Sequence, residues 1–126
     1  MEIVTFELAK KLKKKGYPQK SSGDVTMHGT FYYGDGRLYE NGGICEVKDA
    51  YTADTIYEVM KWMREEKKMH LIVEIADSGW YYTLYPNVRW ENDKLKSDTY
   101  IMSFKNKASY EKAALAGIEY VLDNLI

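Results

Sequence analysis

The chain has 126 residues, 45% hydrophobic and 29% charged, an ordinary composition for one globular domain that buries a core without disulfides or metal. A net charge of −1 argues against a generic polyanion binder, and the one cysteine, Cys45, excludes an intramolecular disulfide framework. No run approaches the roughly 20 apolar residues of a membrane span, and no basic segment followed by an apolar run opens the chain, so a cytoplasmic protein without signal peptide is expected by elimination.

Charge is unevenly spread. Residues 1–20 carry a net +4, residues 21–60 a net −5, and residues 61–126 balance at ten of each sign. Tyrosine, at 12 against 3 phenylalanines, suits half-buried sheet positions and interfaces where one end of the ring is wet.

The first predicted element is a helix over 6–15, capped by Thr5. Phe6, Leu8, Ala9 and Leu12 form its apolar arc, and Lys10, Lys11, Lys13, Lys14 and Lys15 decorate the rest. Gly16 fits the C-terminal cap, and Pro18 prevents continuation. The lysine run reads first as a solvated helix face, since phosphate binding needs a wider basic footprint. Residues 19–24 are loop by composition. A weakly patterned hairpin follows over 25–47, with Val25–Tyr33 and Arg37–Tyr39 flanking Gly34-Asp35-Gly36, then a turn at Asn41-Gly42-Gly43 and a short strand from Ile44 to Val47.

Thr52 or Asp54 is expected to cap a helix over 54–68, with Ile56, Val59, Met60 and Met63 in one stripe and Tyr57 and Trp62 flanking it. From Met69 the hydrophobic period changes to two. Strands are expected over 70–76 and 80–85 around the Asp77-Ser78-Gly79 turn, with Pro86 ending the second. Asn87 to Asp98 reads as a polar connection containing Trp90, and a third strand runs over 99–104. A last helix over 109–125, capped by Ser109, carries Ala114, Ile118, Val121, Leu122 and Leu125 on one stripe. Its small residues Ala113, Ala114, Ala116 and Gly117 allow close approach to a sheet.

These elements give an α+β, two-layer fold: an antiparallel three-stranded meander packed on two helices, preceded by the N-terminal helix and hairpin. One domain is expected, with an N-terminal subregion 1–50 set against an α-β-β-β-α core over 52–126. Leu71, Val73, Ile75, Trp80, Tyr82, Leu84, Tyr100, Met102 and Phe104 are assigned to the inner sheet face. His70, Ile72, Glu74, Tyr81, Thr83, Tyr85, Thr99, Ile101 and Ser103 are assigned to the outer one. That outer face is more apolar than solvent requires, so either the N-terminal half folds over it, the favoured alternative, or a partner does.

Reactive constellations are absent from the sequence. His28, His70 and Cys45 share no metal-ligand spacing, and no nucleophile elbow, Walker loop or dinucleotide fingerprint occurs. A lone thiol is more often buried than catalytic. No catalytic residue is assigned, no metal or cofactor is expected, and an enzyme is not the favoured reading.

The α-β-β-β-α order is similar to that of the double-stranded-RNA-binding domain. The segment from Lys105 to Ala114 resembles the basic start of that family's last helix, which implies phosphate contacts from Lys105, Lys107 and Lys112. Tyr110 and Glu111 depart from the pattern where the family keeps further lysines. Three longer segments, VTFELAKKLKKKGYPQ, TIYEVMKWMREEKKMHLIVEI and SYEKAALAGIEYVLDNL, together resemble small uncharacterised proteins of Bacteroides-type prophages and integrated mobile elements. That resemblance implies a mobile-element accessory protein and transfers no site residues.

The functional expectation is a non-enzymatic interaction protein that holds a protein partner, or a second copy of itself, on an aromatic sheet face. Its candidate contacts are Trp62, Ile72, Tyr81, Tyr85, Trp90 and Ile101, because large amphipathic rings anchor interfaces. The alternative is a nucleic-acid-binding module using Lys10, Lys13, Lys14, Lys105, Lys107 and Lys112, should the first helix bring its lysines beside the last.

Overall fold

A computed structural model describes residues 2–103 and 106–126. The fold is α+β, with helices and several small antiparallel sheets. The chain divides into two compact units, Met1–Thr55 and Ile56–Ile126. Among the described residues no helix is long and apolar enough to cross a membrane.

The first unit begins with α1 (Phe6–Lys14), and Thr5 caps it as expected, its hydroxyl accepting from the Leu8 N–H at 3.3 Å. Gly16 ends it at φ 94°. The Gly16 N–H bonds the Lys13 carbonyl at 3.1 Å and the Tyr17 N–H the Leu12 carbonyl at 2.9 Å, the paired closure that a left-handed residue permits. Leu8, Ala9 and Leu12 are buried, and Phe6 sets its ring against Tyr32 and Tyr51 at 5.5 and 6.0 Å.

Six short strands follow: β1 (Ser21–Ser22), β2 (Thr26–Met27), β3 (Phe31–Tyr33), β4 (Leu38–Tyr39), β5 (Gly43–Ile44) and β6 (Ala50–Thr52). A 3-10 turn, Val47–Asp49, joins the last two. They form two sheets, ordered β1-β2-β5 and β4-β3-β6. The expected hairpin around Gly34-Asp35-Gly36 is present, but only as Phe31–Tyr33 against Leu38–Tyr39. Val25 to Thr30 belongs elsewhere, and the expected strand Ile44 to Val47 is cut short by the 3-10 turn. The missed strand, β6, pairs along the whole of β3, with Tyr32 opposite Tyr51. Met27, Phe31 and Ala50 make the buried centre, with Tyr33, Cys45 and Val47 packed around it.

In the second unit, α2 (Ile56–Glu66) starts later than expected. Thr52 belongs to β6, and Asp54 takes the Tyr17 hydroxyl and the Lys20 ammonium, so neither is spent on α2. The buried stripe is Ile56, Val59, Trp62 and Met63. Trp62 takes the place assigned to Met60, because the larger ring removes more apolar surface from water.

β7 (His70–Ala76) and β8 (Gly79–Tyr85) form the expected hairpin, in register from His70 opposite Tyr85 to Ala76 opposite Gly79. The polar connection holds an unforeseen second hairpin, β9 (Arg89–Glu91) and β10 (Lys94–Lys96). Its two-residue turn, Asn92-Asp93, has φ of 51° and 62°, the left-handed pair that twisted hairpins need. The third strand of the main sheet, β11 (Ile101–Met102), is shorter than expected. Phe104 and Lys105, assigned to the strand face and to phosphate contact, lie outside the described residues.

The register of β11 overturns the assigned faces. Ile101 lies opposite Leu84 and Met102 opposite Thr83. Leu84 shares its face with Leu71, so Ile101 belongs on the inner face and Met102 on the outer one. A shift of one residue exchanges every side chain of a strand between faces, and the apolar pattern of Tyr100 and Met102 pointed to the wrong one. Past Ser103, the Trp80 and Lys107 backbones pair again at 2.9 and 2.6 Å.

The inner face is covered by α3 (Tyr110–Asn124), capped by Ser109 as expected. Ala113, Ala114, Gly117, Ile118, Val121 and Leu122 are buried, so the small residues do permit a close helix–sheet approach. Leu71, Tyr82 and Leu84 are buried beneath them. Trp80 meets Tyr110 edge-to-face at 5.9 Å, while Ile75, at the far end of β7, stays exposed.

Candidate functional site

The outer face of the second unit carries a run of rings. Cross-strand pairing puts His70 opposite Tyr85 and Glu74 opposite Tyr81, and the Tyr85 ring lies 6.4 Å from His70 and 6.3 Å from Tyr100. Tyr100 is 61% exposed, and Met102, its neighbour on this face, is 44% exposed. Tyr81 makes a long 3.4 Å hydrogen bond to Glu74; the carboxylate charge, then burial, push its phenol above the usual range. Burial, helped by the nearby Arg64 charge, holds His70 below the ordinary histidine value.

The β9–β10 hairpin borders this face. A cleft of about 220 Å³ is lined by His70, Ile72 and Tyr85 from the sheet and by Val88, Leu95, Lys96 and Ser97. A second cleft, of about 560 Å³, shares Val88 and Leu95 and adds Arg64, Glu65, Lys68, Arg89 and Trp90. Trp90 lies opposite Leu95 across the hairpin and is 74% exposed. Arg89 stiffens the hairpin by holding Glu91 at 3.2 Å and Asp98 at 2.8 Å. The Ser97 hydroxyl donates to the Pro86 and Thr99 carbonyls, tying down the exit.

The six sequence-derived aromatic and apolar candidates therefore separate. Ile72, Tyr81 and Tyr85 share the outer face, and Trp90 stands on the bordering hairpin. Trp62 is buried, with the Lys67 ammonium 5.4 Å from its ring centre, and Ile101 is turned to the helix side. Tyr100, Met102 and Leu95 belong to the surface instead, and sequence reasoning passed over all three in that role.

The lysine candidates are divided between the units. Lys10 lies 3.3 Å from Glu7 and 4.6 Å from the centre of the Phe6 ring. Lys13 is a structural clamp: its ammonium donates to the Val47, Lys48 and Ala50 carbonyls at 2.9, 3.2 and 2.9 Å. Burial lowers its pKa, partly opposed by the Asp49 charge. Lys14 is exposed. In the second unit Lys107 is half-buried, its backbone paired with Trp80, and Lys112 is exposed.

The first unit has a cleft of its own, of about 690 Å³, lined by Phe31, Tyr33, Arg37, Tyr39, Gly43, Ile44, Cys45 and Glu46. Cys45 is half-buried on its wall rather than sealed in the core. Phe31 and Tyr39 stack with centres 5.3 Å apart, and Asp35 holds the Arg37 guanidinium at 2.6 Å. Elsewhere Ser22 hydrogen-bonds His28 Nε2, an exposed contact in which solvent reaches both groups. Among the described residues no three His, Cys, Asp or Glu side chains gather as a metal site would require.

Compared with protein-family models, curated proteins and solved structures, the chain matches none.

Proposed function

We propose that the protein is a non-enzymatic interaction module, of phage or mobile-element origin as its sequence resemblance implies, that docks a protein partner through its second unit. The docking surface is the outer face of β7-β8-β11 together with the β9–β10 hairpin. One observation carries the reading: Trp90, 74% exposed, stands on a hairpin whose Leu95 also lines the cleft formed with His70, Ile72 and Tyr85. An anchor ring beside an apolar cleft is the arrangement in which a few side chains carry most of the binding energy. Arg64, Lys68 and Lys96 around the same clefts favour a partner with acidic residues flanking its apolar contact.

The test compares wild type with Trp90→Ala and Tyr100→Ala in cross-linking from a host-cell extract, followed by affinity measurement with the purified partner. Both side chains are exposed, so folding is expected to be unchanged. Loss of Trp90 is expected to weaken the partner about 30-fold, the effect of a 2 kcal/mol anchor. Equal affinity for wild type and both variants refutes the surface. A titration with duplex RNA, duplex DNA and single strands accompanies it. Binding that weakens steeply with salt and is lost on charge reversal of Lys14 and Lys112 replaces this reading by the nucleic-acid one.

A further inference from the structure

The cleft of the first unit lies along sheet edges. In the order β1-β2-β5, strand β5 is an edge, and in β4-β3-β6 so is β4. Both contribute to the cleft wall, β4 through Tyr39, with Arg37 just before the strand, and β5 through Gly43 and Ile44.

Register fixes where the backbone of β5 points. Ile44 lies opposite Thr26 and Gly43 opposite Met27, and the Cys45 N–H donates to the Val25 carbonyl at 2.9 Å. Antiparallel ladders alternate hydrogen-bonded with non-hydrogen-bonded pairs. With Cys45–Val25 in the bonded set, Ile44–Thr26 falls in the other, and the Ile44 N–H and C=O are directed outward along the free edge. The Ile44 side chain is 87% exposed, so it adds nothing to the core. Natural edges are usually blunted by charge, proline or a covering element. This one is kept short, at two residues, and presents an apolar β-branched residue.

We propose that this edge accepts an extended, basic peptide segment of another protein as an added strand, hydrogen-bonded to Ile44, with an apolar side chain of the segment set between the Tyr33 and Tyr39 rings. Strand addition uses backbone bonds for affinity and a side-chain pocket for choice. The cleft volume lies in the range of built ligand sites. Charge decides the sign of the partner. Within this unit the stretch from residue 21 to 55 carries six carboxylates against Arg37 and Lys48, a net −4, and Arg37 on the cleft wall is already bound by Asp35. After burial, the carboxylates of Asp49, Glu46 and Asp35 raise the Tyr33 phenol, so the local field at that ring is negative. The site is separate from the Trp90 surface and shares none of its lining residues.

The probes are a fluorescein-labelled octapeptide of alternating lysine and valine, its glutamate–valine counterpart, and the lysine–valine peptide N-methylated at alternate residues. Anisotropy is expected to show binding of the first and at least tenfold weaker binding of the other two. Amide shifts in the ¹⁵N-labelled full chain are expected at Tyr33, Tyr39, Gly43 and Ile44. Ile44→Pro removes the outward N–H at an edge position that tolerates proline, and is expected to weaken the peptide at least tenfold at unchanged melting temperature. Should that variant fail to fold, the N-methylated probe tests the same hydrogen bonds on the native chain. Equal binding of the three peptides, no binding, or shifts centred outside the cleft overturns the proposal. Concentration-dependent self-association through Ile44, undisturbed by peptide, gives the edge to a second copy and overturns it too.

Discussion

Replacing Gly117 by alanine sets two known effects against each other at one atom. In an exposed helix the change stabilises by about 1 kcal/mol, because glycine gives up more backbone freedom on folding. Here the new Cβ falls 2.6 Å and 3.0 Å from the Leu71 methyls and 3.2 Å from Tyr82 Cγ. A methyl can rotate aside, but Cγ is one bond from the Tyr82 Cβ and moves only with the strand. Leu71 and Tyr82 are 4% and 8% exposed, so there is little free space to retreat into. Overpacking of this kind costs about 1–3 kcal/mol, and the net expectation is a loss of up to about 2 kcal/mol after the propensity gain is subtracted. Urea unfolding followed by circular dichroism measures it. The decisive comparison is a cycle with Leu71→Ala, which alone should cost about 2–5 kcal/mol. In that background Gly117→Ala should cost at least 1 kcal/mol less, since half the clash has gone. Stabilisation of the wild type by Gly117→Ala, or equal costs in both backgrounds, would refute the close approach.

Lys13→Met keeps an unbranched apolar stem and removes the donor to three carbonyls of the Val47–Ala50 segment. A loss of about 2 kcal/mol is expected in urea unfolding, since charged hydrogen bonds each exceed neutral ones; a change within 0.5 kcal/mol, the size of a plain surface substitution, would contradict the clamp. For His70 the folded pKa lies below the unfolded one, so the unfolded chain takes up the proton first as pH falls. The associated stability is present above the ordinary value of about 6.5 and is lost as pH drops below it. His70→Gln should flatten that stretch of the stability–pH curve, and an unchanged slope would assign the effect to other groups. Gly79 sits at φ 134°, and a Cβ there would lie 2.6 Å from the Lys107 carbonyl oxygen. Gly79→Ala should therefore cost more than 2 kcal/mol by thermal or urea unfolding, and a cost below 1 kcal/mol would mean that Lys107 pairs elsewhere.

The elements read correctly from sequence are those in which one rule acts over many residues. Three helices and the β7–β8 hairpin have a long hydrophobic period, and the hydroxyl caps of α1 and α3 and the glycine end of α1 have local chemistry that tertiary context did not override. Two-residue strands have no period to read. β6 is hidden because Thr52 carries a hydroxyl suited to a helix cap, and Ala50-Tyr51 alone show no period. The β9–β10 hairpin did leave a signal, Asn92-Asp93 between Trp90 and Leu95, but the charges around it read as solvent-exposed loop. The face of β11 was beyond sequence reasoning. Both alternations of residues 99–103 contain apolar side chains, and the choice between them is made by pairing with Leu84 and Thr83.

Long elements spend their apolar residues on the core, so exposure there is limited to ends such as Ile75. The strongest exposures, Ile44 and Trp90, fall in strands of two and three residues. Those strands are held by backbone turns and polar ties: the left-handed pair at Asn92-Asp93, the Arg89 ion pairs, and the Gly42 N–H on the Gly29 carbonyl at 2.7 Å. Their folding does not depend on a large apolar side chain at the exposed position. An isoleucine or tryptophan kept there incurs an aggregation risk without contributing to the core, and single apolar residues scattered on a surface would need no such account. Here each stands over a cleft that its own strand helps to build. The parts of the chain least determined by core patterning are thus the parts that present exposed apolar side chains beside clefts.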